Sequence, residues 1–172
     1  SLVQIQPPLP VNEIRTGAFA PFLFLREMRT EELEIAIEPV VTGHGCELWG
    51  IELARGKKRP TIKVFIDAIA GATIDDCEKV AKDLNYELAL NDMFFDQDYL
   101  LEVSTPGIDR KIFKAEQLSA FIKEDFDLKL REEKNGKRSL VAKLIHIDND
   151  EILFQSGEEK MILNFVDLDL CR

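Results

Sequence analysis

The sequence predicts an α+β protein in two pieces, an α-β-β-α-β sandwich followed by a small all-β barrel. Three observations carry that prediction: helical spacing of apolar residues from Ile74 to Leu88, strict alternation from Thr61 to Asp67, and a run of short strand-like segments joined by tight turns from Phe126 to Cys171. With 172 residues, 45% hydrophobic and 31% charged, the chain has apolar material for one domain or two small ones. A collagenous, mucin-like or wholly disordered chain is excluded.

Residues 1–27 differ from the rest. They hold four of the seven prolines and show no helical or strand period. The expectation is an extended, disordered leader or an upstream extension ahead of a natural start at Met28. The apolar patch from Gly17 to Leu25 is interrupted by Pro21 and lacks the basic start and cleavage site of a secretory signal.

Residues 28–115 form the expected first domain. Thr30-Glu31-Glu32 supplies a capping residue and acids ahead of Leu33, Ile35, Ile37 and Val40, with Gly43 and Gly45 marking the helix end. Cys46–Ala54 and Thr61–Asp67 have strand character, and in the second Ile62, Val64 and Ile66 share one face. Thr73 reads as an N-cap, followed by Ile74, Cys77, Val80, Ala81, Leu84 and Leu88 on one helical stripe. Tyr99–Thr105 is the third strand, stopped by Pro106-Gly107.

Residues 116–172 are expected to give a connector, helical from Ala115 to Glu124, and a five-stranded barrel. Phe126, Leu128 and Leu130 alternate with charged residues. Asn135-Gly136 is a strong hairpin signal because both positions accept positive φ. The long run from Lys137 to Ile147 can bend across both faces of a barrel, whose closure would remove most exposed edges.

Charge and motif content narrow the function. Thirty-two acidic residues against 22 basic ones leave a net charge of −10, which repels phosphate and favours a basic protein partner over naked RNA. Cys46, Cys77 and Cys171 are too sparse for a disulfide framework and point to reduced thiols in a cytosol. No run of 18 apolar residues suggests a membrane span.

Ser104-Thr105-Pro106-Gly107-Ile108-Asp109-Arg110 places a hydroxyl, an acid and a base together, but no second catalytic element accompanies it, so a turn is the better reading. His44, Cys46 and Cys77 lack paired zinc-ligand spacing, and Asp92, Asp96 and Asp98 lack the glycine and terminal glutamate of an EF-hand. No catalytic residue, metal or cofactor is therefore expected. The first domain's element order suggests a KH-type-II-like unit, yet no GxxG loop clamps a nucleic-acid backbone. Bases cluster in loops at Arg55–Arg59, at Arg110, Lys111 and Lys114, and at Arg131, Lys134, Lys137 and Arg138.

Gly45–Glu52, Val64–Asp67, Gly71–Cys77 and above all Tyr99-Leu-Leu-Glu-Val-Ser-Thr-Pro-Gly-Ile-Asp-Arg110 resemble the bacterial ribosome maturation factor RimP family, in order from about Met28 to the C-terminus. The pattern departs at Thr105, Ile108 and Lys111, and near Lys123, where the family carries a glycine before the first barrel strand. The resemblance implies an Sm-like or SH3-like barrel after the α+β domain. It also implies a cytoplasmic, non-enzymatic, monomeric assembly chaperone that binds the immature free small (30S) subunit. The implied partners are a basic ribosomal protein near the decoding region and 16S rRNA, with no membrane. The candidate contact residues are Arg110 and Lys111 at the Pro-Gly turn and Arg131, Lys137 and Arg138 at the barrel hairpin. The competing readings are a stand-alone RNA-binding module and a hydrolase built on Ser104.

Overall fold

A computed structural model describes residues 2–5, 30–54, 59–90, 98–149 and 151–172. The chain divides into two compact units, Ser1–Pro106 and Gly107–Arg172. This division assigns 10 basic and 18 acidic residues to the first unit and 12 and 14 to the second, so most of the net negative charge belongs to the first. Among the described residues, no helix is long and apolar enough to cross a membrane.

The first unit runs β1 (Leu2–Ile5), α1 (Thr30–Gly43), β2 (Glu47–Ala54), β3 (Thr61–Asp67), α2 (Ile74–Leu90) and β4 (Leu100–Ser104). The sheet order is β1-β4-β3-β2, with β2–β3 and β1–β4 antiparallel and β3–β4 parallel. A parallel pair needs a crossover, and α2 supplies it. The buried residues of both helices and of the inward sheet positions form one core.

The strand Leu2–Ile5 corrects the expectation that residues 1–27 carry no regular structure. It pairs with β4 from Leu2 opposite Ser104 to Ile5 opposite Leu101. Four residues are too few to display a period. What selects them is the otherwise unpaired backbone edge of β4, which sequence patterning does not reveal. Residues 6–29, with the leader's apolar patch and Met28, lie outside the described residues.

Helix α2 matches its sequence signature closely. Asp76 N–H donates to Thr73 Oγ1 at 3.2 Å, while Thr73 N–H and Oγ1–H donate to the Asp76 carboxylate at 2.8 and 2.7 Å. This reciprocal arrangement satisfies donors that would otherwise be orphaned at the first turn. Cys77, Val80, Ala81, Leu84 and Leu88 are buried, whereas Ile74 is half exposed.

In α1 the buried stripe is Leu33, Ile37 and Val41; Ile35, expected on that stripe, is 75% exposed. A spacing of four puts these three on one face, and Ile35 lies two positions away from both Leu33 and Ile37. Pro39 sits on the exposed side of the helix, where the missing N–H costs least. The helix ends as Gly45 takes φ +72° and donates to Thr42 O at 2.9 Å.

The second unit contains a 3-10 turn (Ala115–Phe121), β5 (Asp125–Lys134), β6 (Lys137–Asp148), β7 (Glu151–Ser156), β8 (Glu159–Asn164), a second 3-10 turn (Phe165–Asp167) and β9 (Leu168–Cys171). The sheet order is β8-β7-β6-β5-β9, antiparallel throughout. Asn135 and Gly136 take φ +51° and +73°, the two left-handed positions of the tight turn that the sequence signals. The long β6 pairs with β5 through Lys143 and with β7 from Lys143 onward, and a register shift between Leu144 and His146 interrupts the β6–β7 ladder just beyond the residue that both ladders share. Such a bulge sharpens local twist and lets one strand serve both neighbours.

Phe126 and Phe154 meet edge to face at 6.2 Å within a core that includes Leu128, Leu130, Leu144, Ile152 and Leu163. The segment after the Pro-Gly turn is tied to the sheet, because Ile112 N–H donates to Cys171 O at 2.8 Å.

Candidate functional site

The chain crosses from the first unit to the second at Pro106-Gly107, and the turn residues that follow are exposed. Gly107 takes φ +74°, and Arg110 Nε–H returns to its carbonyl at 3.2 Å, closing the turn on itself. The Arg110 guanidinium lies 5.8 Å from the centre of the Phe121 ring, and Lys111 Nζ lies 5.1 Å from that of Phe113. These ring contacts hold two cations near apolar surface.

Within the second unit, this segment borders a cleft of about 560 Å³. Ile108, Phe121, Phe126 and Val141 give it an apolar lining, with Ile108 fully exposed and Val141 60% exposed. Around them stand the carboxylates of Asp109, Glu124, Asp125 and Asp127 and the guanidinium groups of Arg110 and Arg172. Arg172 reaches Asp109 at 3.8 Å and Asp127 at 3.7 Å. Four acids against two bases make the rim acidic on balance. The cleft therefore combines exposed apolar side chains with charged groups of both signs.

The sequence-derived contact residues therefore separate. Arg110 lines the cleft, while Lys111, Arg131, Lys137 and Arg138 do not. Arg131 Nε–H donates to Leu168 O at 3.1 Å, and Lys137 pairs with Glu159 at 3.4 Å. Arg138 and Arg131 both contribute positive potential at Asp169, whose carboxyl is held below its ordinary range first by the hydrogen bond from Lys129. Asn135 and Lys137 similarly hold the Glu159 carboxyl low. The hairpin's bases are thus largely engaged with acids and carbonyls of the same sheet.

At the Pro-Gly turn Asp109 faces Arg172, while Arg110 donates to its own turn and lies over Phe121. Sequence reading also missed Phe121, Val141 and Arg172 as members of the cleft. Asp125 and Asp127 were accessible in principle, since period two in β5 sends them outward opposite Phe126 and Leu128.

Other chemistry-bearing residues have structural surroundings. Ser104 Oγ–H donates to Thr105 O at 3.1 Å, and His44 Nε2 lies 2.8 Å from Asp83 Oδ2. Burial pushes all three thiols up, that of Cys171 to about 12, so each is a poor nucleophile in the folded protein. Among the described residues, no group of three His, Cys, Asp or Glu side chains is arranged to hold a metal ion. Asp98 pairs with Arg59 at 3.4 Å; Asp92, Asp96 and residues 55–58 of the basic loop lie outside the described residues.

Residues 36–109 match the family model of the RimP N-terminal domain. The matched stretch runs from within α1 through β4 to the Pro-Gly turn and ends beside Arg110.

Proposed function

The chain belongs to the RimP family of ribosome maturation factors, and from that premise we propose that it binds the immature free small ribosomal subunit and assists its late assembly without catalysing a reaction. The observation that carries the proposal is the acid-rimmed apolar cleft of the second unit. A basic ribosomal protein can present aliphatic and cationic side chains together, which suits a cleft that mixes apolar side chains with four carboxylates. Binding of this kind assists assembly only by favouring one arrangement of the nascent particle over its competitors, and it ends when the mature surface no longer fits.

In this reading the first unit is a KH-type-II-like domain and the second an Sm-like barrel. The parallel β3–β4 crossover supports the former, and five short antiparallel strands with a bent central β6 support the latter. The protein works in the cytoplasm as a monomer, touching a basic ribosomal protein near the decoding region and adjacent 16S rRNA. Arg110 remains a contact candidate in the cleft, and Lys111 one beside it in sequence. Arg131, Lys137 and Arg138 are secondary, because none of them lines the cleft.

The test is a charge reversal on the cleft. Asp125→Lys with Asp127→Lys should abolish co-sedimentation with free small subunits, while Arg131→Ala with Arg138→Ala should weaken it little. Retained binding in the cleft variant would move the interface elsewhere. If the purified chain instead binds rRNA fragments alone, with affinity falling steeply in salt, a stand-alone RNA-binding module replaces this reading.

A further inference from the structure

We propose that the β4 edge is a docking strand for an extended, lysine- or arginine-bearing segment of a protein partner, with Glu102 reading the cation and β1 occupying the site in cis until it is displaced. The inference concerns the first unit and stands independently of the cleft.

Strand β1 shows what the edge accepts. Val3 is opposite Val103 and packs against the core, while Gln4 is opposite Glu102 and its Nε2 donates to Glu102 Oε1 at 2.8 Å. Leu2, opposite Ser104, is half exposed. The site therefore wants an apolar residue at one position and a donor at the next, the alternating readout of strand addition. At four residues β1 is at the short end for a strand, so its hold on the edge is limited.

The charges leave the register incomplete. Glu52, Lys63 and Glu102 stand in successive register on β2, β3 and β4, giving negative, positive, negative across the sheet. The next place outward is held by the neutral Gln4. The Glu102 side chain is only 10% exposed, and the Lys63 ammonium is 3.8 Å away, beyond hydrogen-bond length. A carboxylate so withdrawn from water gains more from a charged donor than from an amide, and opposite charges are the favoured cross-strand pair. The surplus of acids in this unit gives a basic segment a further reason to approach.

The experiment vacates the edge in the full chain by combining Val3→Pro with Gln4→Pro, since proline cannot donate to the ladder. Two labelled hexapeptides serve as probes: Ser-Leu-Val-Gln-Ile-Gln and the same sequence with lysine at its fourth position. The vacated chain should bind the lysine peptide about fivefold more tightly, Glu102→Gln in that background should erase the preference, and the unaltered chain should bind both far more weakly. Equal affinity for the two peptides, or no binding by a folded vacated chain, overturns the proposal. A dimer of the unaltered chain that becomes a monomer on vacating the edge also overturns it, by making a second copy the occupant. If the double variant does not fold, Gln4→Lys in the full chain decides. It should slow amide exchange across Leu101–Ser104 at least twofold, an effect lost with Glu102→Gln, and unchanged exchange refutes the role of Glu102.

Discussion

Lys123 sits in a conformation that suits glycine, and replacing it should stabilise the second unit. Its φ is +77°, immediately before β5, and its backbone is fixed on both sides: the N–H donates to Leu144 O at 2.8 Å and the carbonyl accepts from Lys143 Nζ at 3.0 Å. A side chain at left-handed φ costs about 1–2 kcal/mol. Glycine avoids that strain but loses about 0.5–1 kcal/mol through the greater freedom of the unfolded chain. The difference favours Lys123→Gly by about 0.5–1 kcal/mol. Both backbone bonds survive the change, and the side chain removed is exposed. For a domain of this size each kcal/mol moves Tm by roughly 4–8 °C, so the variant should melt about 2–8 °C higher in calorimetry. Gly136→Ala, at φ +73°, should move Tm the other way. An unchanged or lower Tm for Lys123→Gly would refute the strain argument, because no other interaction of Lys123 is altered enough to hide the gain.

Further outcomes follow from the same geometry. Phe154→Ala, at a fully buried ring packed edge-on to Phe126, should cost about 3–5 kcal/mol in denaturant unfolding. Thr73→Ala should cost about 1 kcal/mol by removing the α2 cap. The Thr73 side chain, and then its N–H, hold the Asp76 carboxyl below its ordinary 3.8. That contribution is present above about pH 4 and is lost as pH falls through the lower folded value, so the variant should show a shallower acid limb in its stability profile. Each cysteine should resist a thiol reagent at pH 8 until its own unit unfolds, Cys46 and Cys77 with the first and Cys171 with the second; a fast-reacting thiol in the folded protein would contradict the burial that pushes Cys171 to about 12.

The elements most legible in the sequence are those where local chemistry and tertiary demand agree. Thr73 caps α2 and the Cys77–Leu88 stripe is buried because cap, period and core all point the same way. Asn135-Gly136 makes its turn because few other residue pairs accept two positive φ values in succession. Ile35 and Ile74 were misplaced because an apolar residue near a stripe cannot be told from one on it without the opposing surface. Strand β1 was missed because its reason for existing lies about 100 positions away in β4. The departure from glycine near Lys123 was visible in the resemblance, and its consequence appears as a left-handed backbone at that residue.

The candidate site was only half readable. Arg110 and the Pro-Gly turn stand out locally, but the cleft exists because Arg172 at the end of the chain, Val141 in β6 and Phe121 in the connector converge on that turn. None of those three carries a motif. The hairpin bases looked like a patch in the sequence, whereas folding sets them against Glu159, Asp169 and the Leu168 carbonyl.

The most direct measurement is sedimentation of the purified chain through a sucrose gradient with free small subunits from assembly-arrested cells and, separately, with mature ribosomes. The account predicts comigration with the immature small-subunit peak, absence from the mature particles, and loss of the comigrating fraction when Asp125 and Asp127 are both replaced by lysine. A chain that stays at the top of the gradient in every case, or that rides equally on mature ribosomes, would contradict it.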